Sequence, residues 1–270
     1  MLSLFSLAKR LRETFGRAAR SNLARVRKSF KPGVEALEDR LVPARIALLG
    51  SQPASWQQDV KNKIVSTGQF TAAQIDIINI GTTTPTLATL DQYAAVLVFS
   101  DDGYADAITL GNNLAAYVNQ GHGVVDAVFS IASEPLGGLW ASGGYNAIAT
   151  TGQTEGHELH LGTVEKPNDP IMKGVNSFDG GSSSYISTGG IVPNSGGHDS
   201  SLIASWSNGS PLVAERTGFA GKVVDLNFYP PSSTVRSDFW LANTDGAELL
   251  ANSLTYAENL TPSKAAGRYN

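Results

Sequence analysis

Of the side chains able to do chemistry, this 270-residue sequence lacks one kind outright: it has no cysteine, and only four histidines. Disulfides, a thiol nucleophile and thiolate metal sites are therefore excluded. What remains is a set of hydroxyls and carboxylates, namely Ser51, the run Ser100-Asp101-Asp102-Gly103, Ser130 and Tyr229. Each of them follows or closes an apolar run that reads as a buried strand. In an open parallel sheet, ligands sit beyond the carboxyl ends of the strands, so these residues are expected around one crevice. Asp101 and Asp102, with Asp106 close by, are the densest acidic group there. They could offer oxygens to a divalent cation, although the spacing is not that of a calcium loop, or they could cap the helix that begins near Asp106.

Ser130 would need a neighbouring base to act as a nucleophile. Val128-Phe129-Ser130-Ile131-Ala132 lacks the Gly-x-Ser-x-Gly elbow, and His122 lies at the far end of the strand leading to Ser130. The alternative reading is a polar residue ending a strand. His157-Glu158-Leu159-His160 lacks the i, i+4 spacing of helical zinc sites, and on a strand the two imidazoles face opposite ways. His198 falls in a loop without an evident partner, so no metal site is expected. No Gly-x-Gly-x-x-Gly follows the first strand, and no cofactor is expected. Trp140, Tyr145, Tyr185 and Trp206 could form a sugar-stacking face or could serve as core and loop anchors.

The elements that must position these groups follow from hydrophobic periodicity. Ile46 to Gly50 reads as a strand, Ser51-Gln52-Pro53 as the cap of a helix reaching Thr67, and Gly68 as its stop. Gln74 to Ile80 is a second strand. Ala94 to Phe99 is an unbroken apolar run, as a strand buried on both faces requires, and Val124 to Phe129 is a second apolar strand. Between them, Asp106 to Gln120 is a crossover helix with Ile108, Leu110, Leu114, Ala115 and Val118 along one side, ended by Gly121. Residues 131–200 read as a long irregular insertion with one or two edge strands, for example Glu158 to Val164. Leu202 to Trp206, Pro211 to Arg216 and Lys222 to Phe228 are further strands. Phe239 to Glu258 is a closing amphipathic helix, and residues 259–270 a frayed tail. The expected fold is a three-layer α/β domain over 46–258 with a doubly wound, mostly parallel sheet of flavodoxin-like type.

With 41% hydrophobic and 16% charged residues the composition is that of a globular protein, and no apolar run approaches the roughly 20 residues that cross a bilayer. Charge is divided unevenly. Residues 1–45 hold 11 Lys or Arg against 4 acids, and the remainder holds 9 against 20. An acidic body argues against nucleic-acid binding by the domain. In the arm, Leu4, Leu7, Leu11, Phe15, Ala18, Val26 and Phe30 recur at near-helical spacing among many arginines. Such a segment suits a helix on an anionic membrane surface, a targeting peptide, or a disordered basic tail.

Two resemblances extend this reading. Lys31 to Ala44, through Val34, Glu35, Leu37, Glu38, Arg40 and Pro43, resembles the Leu-Glu-x-Arg sorting motif of planctomycete-type surface proteins. It implies export to the cell surface, with the arm meeting export machinery or membrane. Tyr93 to Val98, Leu114 to Gly123, Asn168 to Val175, Pro211 to Ala214, Gly221 to Phe228 and Asp245 to Leu250 resemble, in that order, the class I glutamine amidotransferase-like superfamily in its ThuA-like branches. That family places a cysteine at the elbow where Phe129-Ser130-Ile131 stands here. Where it has Phe-His-Pro-Glu, this chain has Phe228-Tyr229-Pro230-Pro231. Thiol, base and orienting carboxylate are all replaced, and glutamine hydrolysis has no mechanism. The expected function is an exported binding or interaction domain for an unidentified cell-surface ligand, carbohydrate being one class. The alternatives are a carbohydrate-directed hydrolase working through Asp101 and Asp102, and a basic-arm adaptor for membrane or nucleic acid.

Overall fold

Residues 44–258 are described by the computed structural model; the arm expected over 1–45, save Ala44 and Arg45, and the tail from 259 lie outside them. Strand β1 (Ile46–Gly50) is wholly buried and pairs in parallel with β2 (Ile75–Asn79) on one side and β3 (Ala95–Phe99) on the other. β3 pairs in parallel with β4 (Gly123–Ala127), and β4 with β10 (Val223–Leu226). From β10 the sheet turns antiparallel, through β9 (Pro211–Thr217) and β8 (Asp199–Trp206) to β6 (Leu161–Val164) at the edge. The order is β2-β1-β3-β4-β10-β9-β8-β6, a mixed eight-stranded sheet with five parallel strands.

Both faces are covered, which is why the central strands read as continuous apolar runs rather than alternating ones. Their side chains still alternate. Ile46, Leu48, Leu97, Phe99, Val125 and Val224 pack on the face carrying α1 (Ala54–Ser66) and α5 (Gly246–Ala257). Ala47, Leu49, Val96, Val98, Val124 and Val223 pack on the other, under α3 (Ala107–Asn119), with Leu90 of the short α2 (Leu87–Leu90) and Trp140 of α4 (Gly138–Ser142). This is the three-layer arrangement expected, with helices on both faces of one sheet. No helix among the described residues is long and apolar enough to cross a membrane.

Several elements differ in extent from the sequence reading. β4 stops at Ala127, so Val128 and Phe129 belong to the turn that carries Ser130. Ile108, expected on the buried side of α3, is 62% exposed, because it stands in the first turn beyond the sheet's cover. The last helix begins at Gly246, not Phe239. Residues 239–245 are held out of helix by other partners: Leu241 N–H donates to the Asp179 carbonyl, the Trp240 indole to Pro230, and Asp245 accepts from the Asn176 and Ser177 amides. Pro53, rather than a hydroxyl, occupies the N-cap of α1. The insertion supplies α4, β6 and a separate two-stranded sheet of β5 (Gln153–Thr154) and β7 (Ile186–Ser187).

Candidate functional site

In this sheet the winding reverses between β1 and β3: from β1 the chain passes to β2 on one side, then to β3 on the other. The crevice outside their carboxyl ends is the topological switch point, where ligands of open α/β folds bind. Ser51 follows β1 and Ser100 follows β3, and the structure brings them into contact. Their hydroxyls bond each other, and both also reach the Asp102 carbonyl. Asp101 and Asp102 lie exposed beside them. Neither caps a helix: Asp106 alone caps α3, accepting from the Ile108 and Thr109 amides at 3.1 and 2.9 Å. The Asp101 carboxyl is pushed above its usual range, first by desolvation in the crevice and then by Asp102, with Arg236 pulling it back.

Tyr229, after β10, is buried in an aromatic cluster. Its ring packs 5.0 Å from Phe129, 5.1 Å from Phe239 and 6.2 Å from Trp56, centroid to centroid. Burial pushes the Tyr229 hydroxyl far up, and Asp101 and Asp102 add to this. Arg236 closes one side, donating to the Tyr185 hydroxyl at 3.0 Å and pairing with Asp238 at 2.8 Å. Ser130 is buried, and its hydroxyl donates to the Ala127 carbonyl at 3.0 Å. Among the described residues, three buried polar atoms near this end of the sheet find no hydrogen-bond partner: Gln52 Nε2 and Gln57 Oε1 beside the turn after β1, and the Tyr229 hydroxyl.

Beneath the crevice are groups the sequence reading passed over. Tyr104 donates to the Glu134 carbonyl at 2.8 Å. Its hydroxyl is pushed well up, by burial first and then by Asp126, while hydrogen bonding to Ser100 and Ser130 pulls it down. Asp126 and Asp225 are directly opposed on β4 and β10, both without any exposure. Asn146 donates to Asp126 at 2.8 Å, and the Ala147 and Ile148 amides donate to Asp225 at 2.8 Å. Desolvation raises both carboxyls, Asp225 to about 7. The visible signal was an acid inside each of two apolar strands, Val125-Asp126-Ala127 and Val224-Asp225-Leu226.

The remaining candidates sort differently from expectation. Trp140, Trp206 and Tyr145 are 1%, 1% and 5% exposed, so they are core residues rather than a stacking face; Tyr185 alone stands at the crevice. His122 stacks on Tyr117 at 4.4 Å, at the amino end of β4, far in the strand from Ser130. His198 stacks on Phe219 at 3.8 Å. His160 is not solitary: its Nδ1 lies 3.3 Å from Asp179, with Glu158 at 3.9 Å from Nε2.

Comparison with known proteins bears on the fold. No family model matches the chain, and no curated protein matches it in sequence. Solved structures do match. A ThuA-like protein from Parabacteroides merdae has a TM-score of 0.56 at 15% identity, covering 80% of this chain and 90% of that one. A ThuA-like protein from Bacteroides uniformis has a TM-score of 0.56 at 12% identity, over 79% and 91%. A cytoplasmic protein from Salmonella typhimurium has a TM-score of 0.57 at 13% identity, over 79% and 99%. At these identities the likeness is one of fold, and it agrees with the amidotransferase-like architecture of the sheet.

Proposed function

We propose that this protein is an exported, non-catalytic binding domain whose switch-point crevice takes a hydroxyl-rich ligand of carbohydrate type at the cell surface. The observation that carries the reading is the exposed Asp101–Asp102 pair at the switch point, beside the mutually bonded Ser51 and Ser100 hydroxyls. Carboxylates accept hydrogen bonds from ligand hydroxyls, and charge-assisted bonds are the stronger kind. Arg236 adds a charged donor near Asp101, and Tyr185 offers a ring edge beside the arginine. Loss of catalysis is supported by composition and by hydrogen bonding. There is no thiol, Tyr229-Pro230-Pro231 replaces the base and its carboxylate, and the Ser51, Ser100 and Ser130 hydroxyls point at backbone carbonyls. A serine engaged in this way has no base to remove its proton.

The binding test is a thermal-shift titration of the whole chain with defined oligosaccharides: β-glucan, mannan and N-acetylglucosamine oligomers. At least one should raise Tm saturably, and the Asp101→Asn/Asp102→Asn double variant should lose that rise, with no new reducing ends formed on prolonged incubation. A melt indifferent to every member of the panel would overturn the carbohydrate reading. New reducing ends would favour the hydrolase alternative, which the raised Asp101 carboxyl beside Asp102 supports, since acid catalysis on sugars uses a carboxyl kept protonated next to a second one. For export, intact-mass measurement of the protein from its native envelope should find residues 1–45 removed or held in the membrane fraction. A full-length soluble chain would count against it.

A further inference from the structure

Away from the crevice, the edge of the insertion carries a side-chain cluster whose composition differs from everything near the switch point. Residues 158–161 run antiparallel to 178–180, joined by Leu161 N–H to the Phe178 carbonyl (2.7 Å) and Gly180 N–H to the Leu159 carbonyl (2.9 Å). These two bonds bracket His160 and Asp179 as a bridge pair of the non-hydrogen-bonded kind. In such a pair the Cα atoms come closest and the side chains project together from one face. Glu158 lies two residues earlier on the same extended segment, and therefore on that face too. The backbone pairing thus aligns one imidazole and two carboxylates. Spacing in the sequence hid this, because the partner that matters to His160 is not His157.

We propose that Glu158, His160 and Asp179 form a binding site for a divalent transition metal of the zinc class. The three residues can each present a ligand atom with all three within 4.8 Å of one another. Zinc takes histidine nitrogen and carboxylate oxygen at about 2.0–2.2 Å, so two ligands on a tetrahedral ion are separated by roughly 3.3 Å. The Nδ1 of His160 and Oδ2 of Asp179 stand 3.3 Å apart. That edge of the polyhedron is preformed. Asp179 is fixed in place, its Oδ1 accepting the Gly181 amide at 2.8 Å, so Oδ2 is the oxygen left for a cation. Its side chain is 15% exposed, whereas that of Glu158 is 60% exposed. Glu158 is accordingly the movable arm that closes on the ion.

Nitrogen with two carboxylates selects zinc, cobalt or nickel over magnesium and calcium, which prefer all-oxygen shells. Three protein ligands leave a fourth position to water or to an incoming oxygen ligand. His160 and Asp179 also line a cavity of about 310 Å³, together with Asn176, Ser177 and Thr244, which gives an oxygen donor room to approach. The site therefore fits a metal that bridges the protein to an oxygen donor on something else, and it does not depend on the crevice reading.

The test uses the full, untagged chain after chelator treatment, titrated with Zn²⁺, Co²⁺, Mg²⁺ and Ca²⁺ by calorimetry, with Co²⁺ visible absorption as the spectroscopic readout. The expected result is one equivalent of Zn²⁺ bound, a Co²⁺ spectrum of low-symmetry tetrahedral type, and little response to Mg²⁺ or Ca²⁺. His160→Gln and Glu158→Gln, both at solvent-exposed side chains, should raise Kd by more than the ~10–100-fold that loss of an outer-shell partner costs, and the former should remove the Co²⁺ spectrum. Circular dichroism and Tm of the metal-free variants should match the parent, so a folding defect is distinguishable. The proposal falls if the parent binds no Zn²⁺, or if His160→Gln binds it as the parent does.

Discussion

Asp126 and Asp225 face each other across β4 and β10 in the interior of the sheet, and their ionisation is coupled to stability. Desolvation is the first cause raising each, and for Asp225 the pKa reaches about 7, with Arg216 and the Ala147 and Ile148 amides pulling it down. Arg216 is itself buried, bonded to the Gly144 and Pro193 carbonyls and to Ser200. A carboxyl whose folded pKa lies above its unfolded value of about 3.9 stabilises fully below that value, and the contribution is lost as pH rises through the folded pKa. The protein should therefore lose Tm between about pH 4 and pH 7. Asp225→Asn keeps an acceptor for the two amides, gives Asp126 a donor and removes one charge. Its Tm profile should be flatter over that range than the parent's; parallel profiles would refute the coupling. Ser130→Ala removes a buried hydroxyl bonded to the Ala127 carbonyl and to Tyr104, neither of them a ligand-facing group, so ligand affinity should be unchanged.

At the scale of elements, the close seating of α4 on α3 depends on glycines at the contact, Gly111 among them. A Cβ at Gly111 would stand 2.1 Å from the Gly137 carbonyl oxygen and 3.1 Å from the Trp140 Cβ, so Gly111→Ala must push the helices apart. Overpacking of this kind costs about 1–3 kcal/mol, to be read as a lower midpoint in urea at unchanged m. Because α4 carries Trp140, whose indole donates to Asn146 at 2.9 Å, the same shift should loosen the roof over Asp126. Trp140 fluorescence should move to longer wavelength before global unfolding.

Over the whole molecule, one buried side chain fastens the insertion to the sheet. Asn227, at the end of β10, accepts from the Ser187 amide at 2.6 Å and donates to the Ser187 and Pro211 carbonyls at 3.1 and 2.8 Å. β7 of the small sheet is thereby joined to β9 and β10 of the large one. Asn227→Leu would leave those groups buried and unpaired, at about 1–3 kcal/mol for each. Limited proteolysis should then cut first within residues 150–200, where the parent resists. Cleavage spread evenly over the chain would contradict the fastening.

Much of the layering was legible in the residues themselves. A strand such as Ala95–Phe99 is apolar on both faces because both faces are covered, and Asp106 and Gly121 bound the next helix by local chemistry: a capping carboxylate and a φ of 102°. The meeting of Ser51 and Ser100 with the Asp102 carbonyl beyond β1 and β3 was traceable by the rule that loops after parallel strands converge. Long-range pairing lay beyond such reading. The apposition of Asp126 with Asp225, of Asn227 with Ser187, and of His160 with Asp179 arises from register between segments distant in the chain, which no local spacing encodes. Composition and periodicity therefore determined the layers and the mouth of the crevice. Which polar groups meet inside them was decided by strand register, a property of the folded sheet as a whole.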